Sequence, residues 1–236
     1  GNTPGVLDTT TADMGFALMM AAARNLIIGE HFARGPDFNI YDPAILLGQM
    51  VTGATIGIIG LGRIGYQVAK RAAAFDMPIL YHNRSQNDQA EDDFGARYVA
   101  IDELLSTSDF VMLTMPLTNE TRGMIGTDEL ALMKPTAVLI NTARGGLVVE
   151  SDLIEALESG QIGGAGLDVF EIEPTARDNK LYSMDNVVLS PHMAGLDTLS
   201  VEDMVNEAAQ CVIDLFRGRW PGEAIVNGEL SGKWVW

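Results

Sequence analysis

The sequence predicts an α/β protein built around a parallel β-sheet, on the strength of two observations. Helix and strand signals alternate along all 236 residues, which is typical of parallel sheets whose connections are helices. One apolar run also ends in a glycine-rich turn that opens a helix, a junction at which open α/β sheets bind ligands. The length suits one large domain, or one domain with part of a second.

The composition of the chain argues against some classes of binding partner. The 47% hydrophobic content is enough for a buried core, and the net charge of −17 comes from 15 Lys and Arg against 32 Asp and Glu. That balance argues against nucleic acid or an anionic membrane as a partner, because phosphate binding needs clustered cations. No apolar run reaches the roughly 18 residues of a membrane span, and no signal peptide is evident. We therefore expect a cytoplasmic protein.

The single cysteine, Cys211, excludes an internal disulfide and a multi-cysteine metal site, which suits a reducing compartment. It lies in an apolar helical pattern, so we expect a buried small hydrophobe rather than a nucleophile. We assign no metal ion to the protein.

The first element is a helix. Thr10-Thr11-Ala12-Asp13 resembles a capping box, and the apolar run behind it predicts a buried helix through Ile28. Residues 35–50 begin with Gly35-Pro36-Asp37 and predict a loop. Short apolar runs then predict strands, at 55–59, 78–82, 98–99, 109–114, 137–141, 165–169 and 186–189. Helical periodicity is found at 63–75, 128–133, 151–159 and 200–216, and an irregular tail follows to Trp236.

The stretch "TIGIIGLGRIG" spaces Gly60, Gly62 and Gly65 as G-x-G-x-x-G between a strand and a helix. The first glycine permits a tight turn, and the second lets the backbone approach a pyrophosphate. The third lets helix and strand pack closely, so that the helix N-terminus faces the anion. This context predicts dinucleotide binding on a Rossmann-type, doubly wound sheet.

The next strand ends in "LYHNRS", where an acid that binds the ribose 2′-hydroxyl of NAD would be expected. Asn83 stands in its place. Without a carboxylate there is no repulsion toward a 2′-phosphate, and Arg84 offers a planar donor fork with Ser85 as a further donor. The pattern favours NADP over NAD. The alternative is that Arg84 is a surface residue stacked on adenine.

Three polar residues follow the ends of later strands. Arg144 lies in Thr142-Ala143-Arg144-Gly145-Gly146, Glu173 precedes Pro174, and His192 follows Ser190-Pro191. Because ligands bind outside the carboxyl ends of such strands, these loops should converge over the nicotinamide. A cation, a carboxylate and an imidazole gathered there are the groups needed for hydride transfer to a 2-oxo acid.

The ordered motifs "TPGVLDTTTADMGFALMMAAARN", "GIIGLGRIG", "MPLTNETRGMI", "LINTARGGLVVE", "GLDVFEIEP" and "LSPHMAG" resemble the D-isomer-specific 2-hydroxyacid dehydrogenases over almost the whole chain. By this resemblance Arg144 binds the substrate carboxylate, His192 is the acid/base and Glu173 is its partner, while Asp168 contacts the nicotinamide carboxamide. The same motifs imply further cofactor contacts from Arg63, Ile64, Pro116, Thr121, Thr142, Ala143, Ala194 and Gly195. Asn-Arg-Ser looks most like the NADPH-linked glyoxylate/hydroxypyruvate reductases.

The resemblance also implies a division of the chain. We expect a linking helix and loop at 1–50, a dinucleotide-binding domain at 51–196, and a C-terminal helix and tail at 197–236. That last part would belong to an incomplete substrate domain, because the family's chains have a further segment before the region matching Thr3. Trp220, Trp234 and Trp236 of the tail should then leave apolar surface exposed.

The resemblance also implies a homodimer, since the helix after Thr10 lies in the region that such enzymes use to pair. Two other functions stay open: a dinucleotide-sensing, corepressor-like regulator on the same fold, and a cofactor-binding fragment that is inactive alone.

Overall fold

The computed structural model describes residues 1–233 and has one seven-stranded parallel sheet. The strands are β1 (Ile56–Ile59), β2 (Ile79–His82), β3 (Arg97–Tyr98), β4 (Phe110–Leu113), β5 (Val138–Asn141), β6 (Gly164–Leu167) and β7 (Val187–Leu189). Their order across the sheet is β3-β2-β1-β4-β5-β6-β7. The chain therefore winds outward in both directions from the β1–β4 pair, and the predicted Rossmann-type fold is confirmed.

Helices cover both faces of this sheet. They are α1 (Asp8–Ala23), α2 (Leu26–Arg34), α3 (Arg63–Ala74), α4 (Asp88–Phe94), α5 (Ile101–Thr107), α6 (Thr127–Leu132), α7 (Glu150–Glu158) and α8 (Thr198–Phe216). α1 and α3 pack on one face, and α5, α6 and α7 on the other. Side chains of β4 alternate between the two cores, since Phe110 and Met112 join the first and Val111 and Leu113 the second.

The strand register brings the carboxyl ends level. Ile59 pairs with Leu113 of β4, and the same row continues through Asn141 of β5 to Leu167 of β6 and Leu189 of β7. The residues one position further along the chain therefore form a row at one edge of the sheet. That row is Gly60, Thr114, Thr142, Asp168 and Ser190.

The N-terminal helix differs from the prediction. The single helix expected to run through Ile28 is two helices, because Asn25 adopts a left-handed conformation (φ 50°) between them. The expected capping box is also wrong, since α1 begins at Asp8 and Thr10 lies in its first turn. The Thr10 hydroxyl instead donates to the side chain of Asp197. Residues 35–50 contain no helix or strand, as predicted.

α4 and α5, each seven residues long, were not predicted from the sequence. α4 does carry one local signal, since the Asn87 side chain accepts from the Ala90 amide at 3.1 Å.

The C-terminal part packs less tightly than the sheet. Leu199 and Val205 of α8 are 71% and 63% exposed. Cys211, expected to be buried, is partly exposed on the same helix, because α8 has little of the sheet domain to pack against. Trp220 is half-buried rather than exposed, and Trp234 and Trp236 lie outside the described residues.

Among residues 1–233, no helix is by itself long and apolar enough to cross a membrane. The bent pair Asp8–Ala23 and Leu26–Arg34 passes that test together, by length and composition only.

Candidate active site

Two adjoining clefts lie over the carboxyl edge of the sheet. The first, of about 500 Å³, covers the ends of β1, β2 and β4. The second, of about 690 Å³, covers the loops after β4, β5, β6 and β7. They share Thr114, Met115 and Pro116, so they form one groove across the point at which the strand order reverses. This is where open α/β sheets bind ligands.

The glycine turn forms the centre of that groove. Gly60 has φ +103°, and a Cβ there would lie 2.4 Å from the Met115 amide nitrogen, so only glycine fits. The Thr114 hydroxyl donates to the Gly60 carbonyl at 2.7 Å. No atom lies within 4 Å of a Cβ built on Gly62, the residue at the N-terminus of α3. Open space at a helix N-terminus fits a pyrophosphate.

Arg63 and Ile64 were also expected to contact the cofactor at this turn. Arg63 is exposed, and its Nε lies 3.5 Å from Asp8 Oδ2. Ile64 lines the second cleft, and Gly65 packs against the Gly60 carbonyl. Arg63 therefore already has an anionic neighbour, and a bound pyrophosphate would compete with it.

Asn83 lines the first cleft, but its amide is bound to the glycine turn. Its Oδ1 accepts from the Leu61 amide at 2.6 Å and its Nδ2 donates to the Leu61 carbonyl at 3.1 Å. Asn87 donates to the same carbonyl at 3.0 Å. Arg84 and Ser85 are exposed on the wall of the first cleft. Of the "NRS" stretch, these two line the cleft with exposed residues, whereas the Asn83 amide is bound to the backbone.

The loop after β4 closes the first cleft on its opposite side. The Thr121 hydroxyl donates to the Pro116 carbonyl at 2.8 Å and accepts from the Thr118 amide at 2.8 Å. The Thr118 hydroxyl donates to Glu120 Oε2 at 2.6 Å. Pro116, Thr118, Glu120 and Thr121 all line the cleft. Pro116 and Thr121 were predicted to contact the cofactor and Glu120 was not, although all three belong to the motif "MPLTNETRGMI".

The turn after β5 presents Arg144. The buried Asn141 amide donates to the Arg144 carbonyl at 3.0 Å and accepts from the Ala143 amide at 3.0 Å, which fixes the turn. Thr142, Ala143 and Arg144 line the second cleft, and the guanidinium is exposed. A Cβ on Gly145 would lie 1.8 Å from the Phe170 carbonyl oxygen, so glycine lets the β5 and β6 loops touch.

His192 and Glu173 form a hydrogen-bonded pair beside that turn. His192 Nδ1 lies 2.6 Å from Glu173 Oε2, and Glu173 Oε1 accepts from the Phe170 amide at 2.8 Å. Burial acts to raise the pKa of Glu173, but the hydrogen bonds from His192 and Phe170 and the charges of His192 and Arg144 bring that pKa below its ordinary value. The carboxylate is therefore ionised at neutral pH.

Asp168 fixes the loop that carries His192. Its carboxylate is fully buried and accepts from the Met193 amide at 2.9 Å, the Ala194 amide at 2.8 Å and the Ser190 hydroxyl. Its carbonyl accepts from the His192 amide at 2.8 Å. His192 itself has φ +54°, a conformation that a non-glycine residue holds only when its surroundings impose it. Asp168 is also the residue expected to contact the nicotinamide, and its carboxylate oxygens accept hydrogen bonds from two backbone amides and one hydroxyl.

Arg144, His192, Asp168, Ala194 and Gly195 share the second cleft. Leu7, Leu196 and Met204 line it as well. They were not predicted, because an apolar residue type does not by itself indicate a ligand contact. The structural role of Asn141 could have been predicted from the sequence, because an amide side chain at a strand end is suited to binding the backbone of the following turn.

Comparison with known proteins agrees with this geometry. The model of the D-isomer specific 2-hydroxyacid dehydrogenase NAD binding domain matches residues 16–194. A glyoxylate reductase of Pyrococcus furiosus is 46% identical over 233 residues, which cover 97% of this chain and 69% of that protein. The crystal structure of TT0316 protein from Thermus thermophilus has a TM-score of 0.90 at 39% identity, covering 95% of this chain and 70% of that one.

A D-lactate dehydrogenase from Aquifex aeolicus, solved with NAD and lactic acid, has a TM-score of 0.83 at 32% identity. The match covers 91% of this chain and 68% of that chain. The chain therefore belongs to the D-isomer specific 2-hydroxyacid dehydrogenases, enzymes that transfer hydride between a nicotinamide dinucleotide and a 2-oxo acid.

Proposed function

We propose that the protein reduces glyoxylate or hydroxypyruvate with NADPH as its preferred cofactor. The observation that carries the proposal is the second cleft, where the exposed guanidinium of Arg144 and the imidazole of His192 face one space and Glu173 lies behind the imidazole. The choice of substrate is supported by the relative from Pyrococcus furiosus, which is named a glyoxylate reductase.

Arg144 binds the substrate carboxylate in this mechanism. A planar guanidinium forms two parallel hydrogen bonds with a carboxylate, which fixes the orientation as well as the position of the 2-oxo acid. The nicotinamide supplies the hydride when the dinucleotide is bound. Arg144 therefore serves mainly to hold the carbonyl carbon in the geometry for transfer.

His192 supplies the proton. When hydride adds to the carbonyl carbon, the electron pair of the C=O bond moves to oxygen, and His192 Nε2 donates a proton to that oxygen. Glu173 accepts the hydrogen bond from Nδ1, which selects the tautomer and stabilises the imidazolium that donates. The product is a 2-hydroxy acid, and His192 is left neutral.

The preference for NADPH is supported by the first cleft. Arg84 and Ser85 are exposed on its wall, and residues 82–85 contain no carboxylate. A 2′-phosphate there would gain charge-assisted hydrogen bonds from Arg84. We propose cofactor contacts for the remaining predicted residues as well, with the pyrophosphate at Gly60, Gly62, Arg63, Ile64 and Gly65.

We also propose the division of the chain into a linking part (1–50), a dinucleotide-binding domain (51–196) and a part that belongs with the substrate domain (197–236). All seven strands lie within 51–196, and α8 exposes apolar side chains that another domain would cover. For the homodimer, support comes from the loop after α2, where Ile40, Tyr41 and Leu47 are 68%, 86% and 75% exposed.

The test is a substrate panel with the full-length natural polypeptide. Glyoxylate, hydroxypyruvate, pyruvate and a longer 2-oxo acid are assayed with NADPH and with NADH. We expect the highest kcat/KM for glyoxylate or hydroxypyruvate with NADPH. His192→Ala should lower kcat by about 10² or more, and near wild-type turnover by that variant would contradict the role given to His192. Highest kcat/KM for a longer 2-oxo acid would contradict the proposed substrates.

A further inference from the structure

The first cleft is charged on two opposite walls. Arg84 enters it from the loop after β2, and Glu120 enters it from the loop after β4. Its other lining residues are apolar or uncharged, apart from His82, whose Nδ1 is bound to the Val99 carbonyl at 2.9 Å. A ligand group in this cleft therefore meets one full positive charge and one full negative charge.

Asn83 does not contribute to this balance of charge, because its amide is neutral, and both ends of that amide are bound to the backbone of Leu61. The residues after β2 therefore provide a cation and no acid. The carboxylate of this cleft belongs to Glu120, in the loop after β4. It therefore cannot be predicted from the residues at the end of β2.

Glu120 is held in position by its own loop. The Thr118 hydroxyl donates to Glu120 Oε2 at 2.6 Å and accepts from the Glu120 amide at 3.2 Å. Thr121 ties the same turn to the Pro116 carbonyl. The hydrogen bond from Thr118, and to a smaller degree the charge of Arg84, lower the pKa of Glu120. Its charge is thus present at neutral pH and has a defined place.

We propose that Glu120 is a cofactor-specificity residue that opposes the 2′-phosphate of NADP(H). Arg84 attracts the phosphate from one wall and Glu120 repels it from the other, so the preference for NADPH is the difference between the two effects. A 2′-hydroxyl carries no charge, so the carboxylate does not repel it and can accept its hydrogen bond. The inference rests on the proposed role of Arg84 in binding the phosphate.

The experiment is a titration of NADPH and NADH binding to the purified protein carrying Glu120→Gln. Glutamine keeps an oxygen that accepts from Thr118 and removes the charge. We expect NADPH to bind about 3- to 10-fold more tightly, the scale of one partly solvated charge pair, and NADH to bind no more tightly than before. The matched control is Glu155→Gln, which removes one exposed charge on α7 outside both clefts and should leave both affinities unchanged.

Two outcomes would overturn the inference. In one, the ratio of NADPH to NADH affinity is the same in Glu120→Gln and in the unsubstituted protein. In the other, Glu155→Gln changes the ratio as much as Glu120→Gln does, so that the effect is one of net charge. Raising the salt concentration should also shrink the gain for NADPH, because screening weakens repulsion between partly exposed charges.

Arg84→Ala separates a failure of this inference from a failure of the proposed cofactor preference. If Arg84→Ala leaves the ratio of affinities unchanged, the phosphate does not bind at Arg84. In that case the proposed preference for NADPH and the proposed role of Glu120 are both wrong. If Arg84→Ala lowers the ratio and Glu120→Gln does not raise it, the preference for NADPH stands and the role of Glu120 is wrong.

Discussion

His192 Nδ1 lies 2.6 Å from Glu173 Oε2, and the other oxygen of that carboxylate is bound to the Phe170 amide. The glutamate is therefore held at both oxygens, and the imidazole can rotate only by breaking a charge-assisted hydrogen bond. Neither partner is deeply buried, since the side chains of His192 and Glu173 are 49% and 32% exposed. The pair can therefore exchange protons with solvent between turnovers.

Glu173→Gln should lower kcat by about 10- to 100-fold, because a neutral amide stabilises the imidazolium less than a carboxylate does. The pH above which 2-oxo acid reduction declines should also move to a lower value, since reduction needs the protonated imidazole. The measurement is kcat against pH. The matched control is Glu171→Gln, an exposed neighbour, which should leave the profile in place. An unshifted profile in Glu173→Gln would show that Glu173 only supports the loop.

The acid side of the same profile tests the lowered pKa of Glu173. In the folded protein this carboxyl stays ionised down to a pH below its ordinary value of 4.5. Its bond to His192 is therefore complete at neutral pH and is lost only as the pH falls through that lowered pKa. Loss of activity between pH 5 and 6 that disappears in Glu173→Gln would contradict this direction.

Arg144→Ala should act mainly on substrate binding. Removing a bidentate partner of a carboxylate costs about 1.5–3 kcal/mol, so KM for the 2-oxo acid should rise by about 10- to 100-fold, with a smaller fall in kcat as orientation is lost. The affinity for the dinucleotide, titrated separately, should change little. Arg144→Lys should restore part of the loss, because it returns the charge without the planar fork. An unchanged KM in Arg144→Ala would remove this residue from the site.

Much of this arrangement could be predicted from the sequence, because it depends on local signals. The glycine turn and the seven short apolar runs indicated a parallel sheet, and the carboxyl edge of that sheet then brought Arg144 and His192 to one place. The contacts of Asn83 and Asp168 could not be predicted. Each was identified as a ligand-binding position, and each has its side chain bound to backbone amides or carbonyls that lie far away in the chain. Such pairings are set by loop conformation, which residue pattern does not specify.

Asp168→Asn should disorder the loop of His192. Its carboxylate accepts from two backbone amides and a hydroxyl, and an asparagine would place an NH₂ donor against one of these donors. We expect a loss of about 1–3 kcal/mol in the free energy of unfolding, together with a fall in kcat larger than any change in KM. Thermal unfolding and steady-state kinetics measure the two effects. Full stability of Asp168→Asn would show that the carboxylate does not hold the loop of His192, whatever the effect on dinucleotide affinity.

Asn83→Asp tests whether the amide supports the glycine turn. An aspartate can still accept from the Leu61 amide, but it loses the Nδ2 donor and places a carboxylate oxygen near the Leu61 carbonyl. The turn that should receive the pyrophosphate would be distorted, and the pyrophosphate is common to both cofactors.

We therefore expect Asn83→Asp to weaken NADPH and NADH alike, by about 5- to 30-fold for a net loss of 1–2 kcal/mol, with a further loss for NADPH through repulsion. Arg84→Ala is the comparison, because it should weaken NADPH by about 10- to 100-fold and leave NADH nearly unchanged. Titration of both cofactors against both variants gives four affinities. If Asn83→Asp improves NADH binding, the amide is dispensable to the turn, and position 83 behaves as the ribose-binding acid that the sequence pattern first suggested.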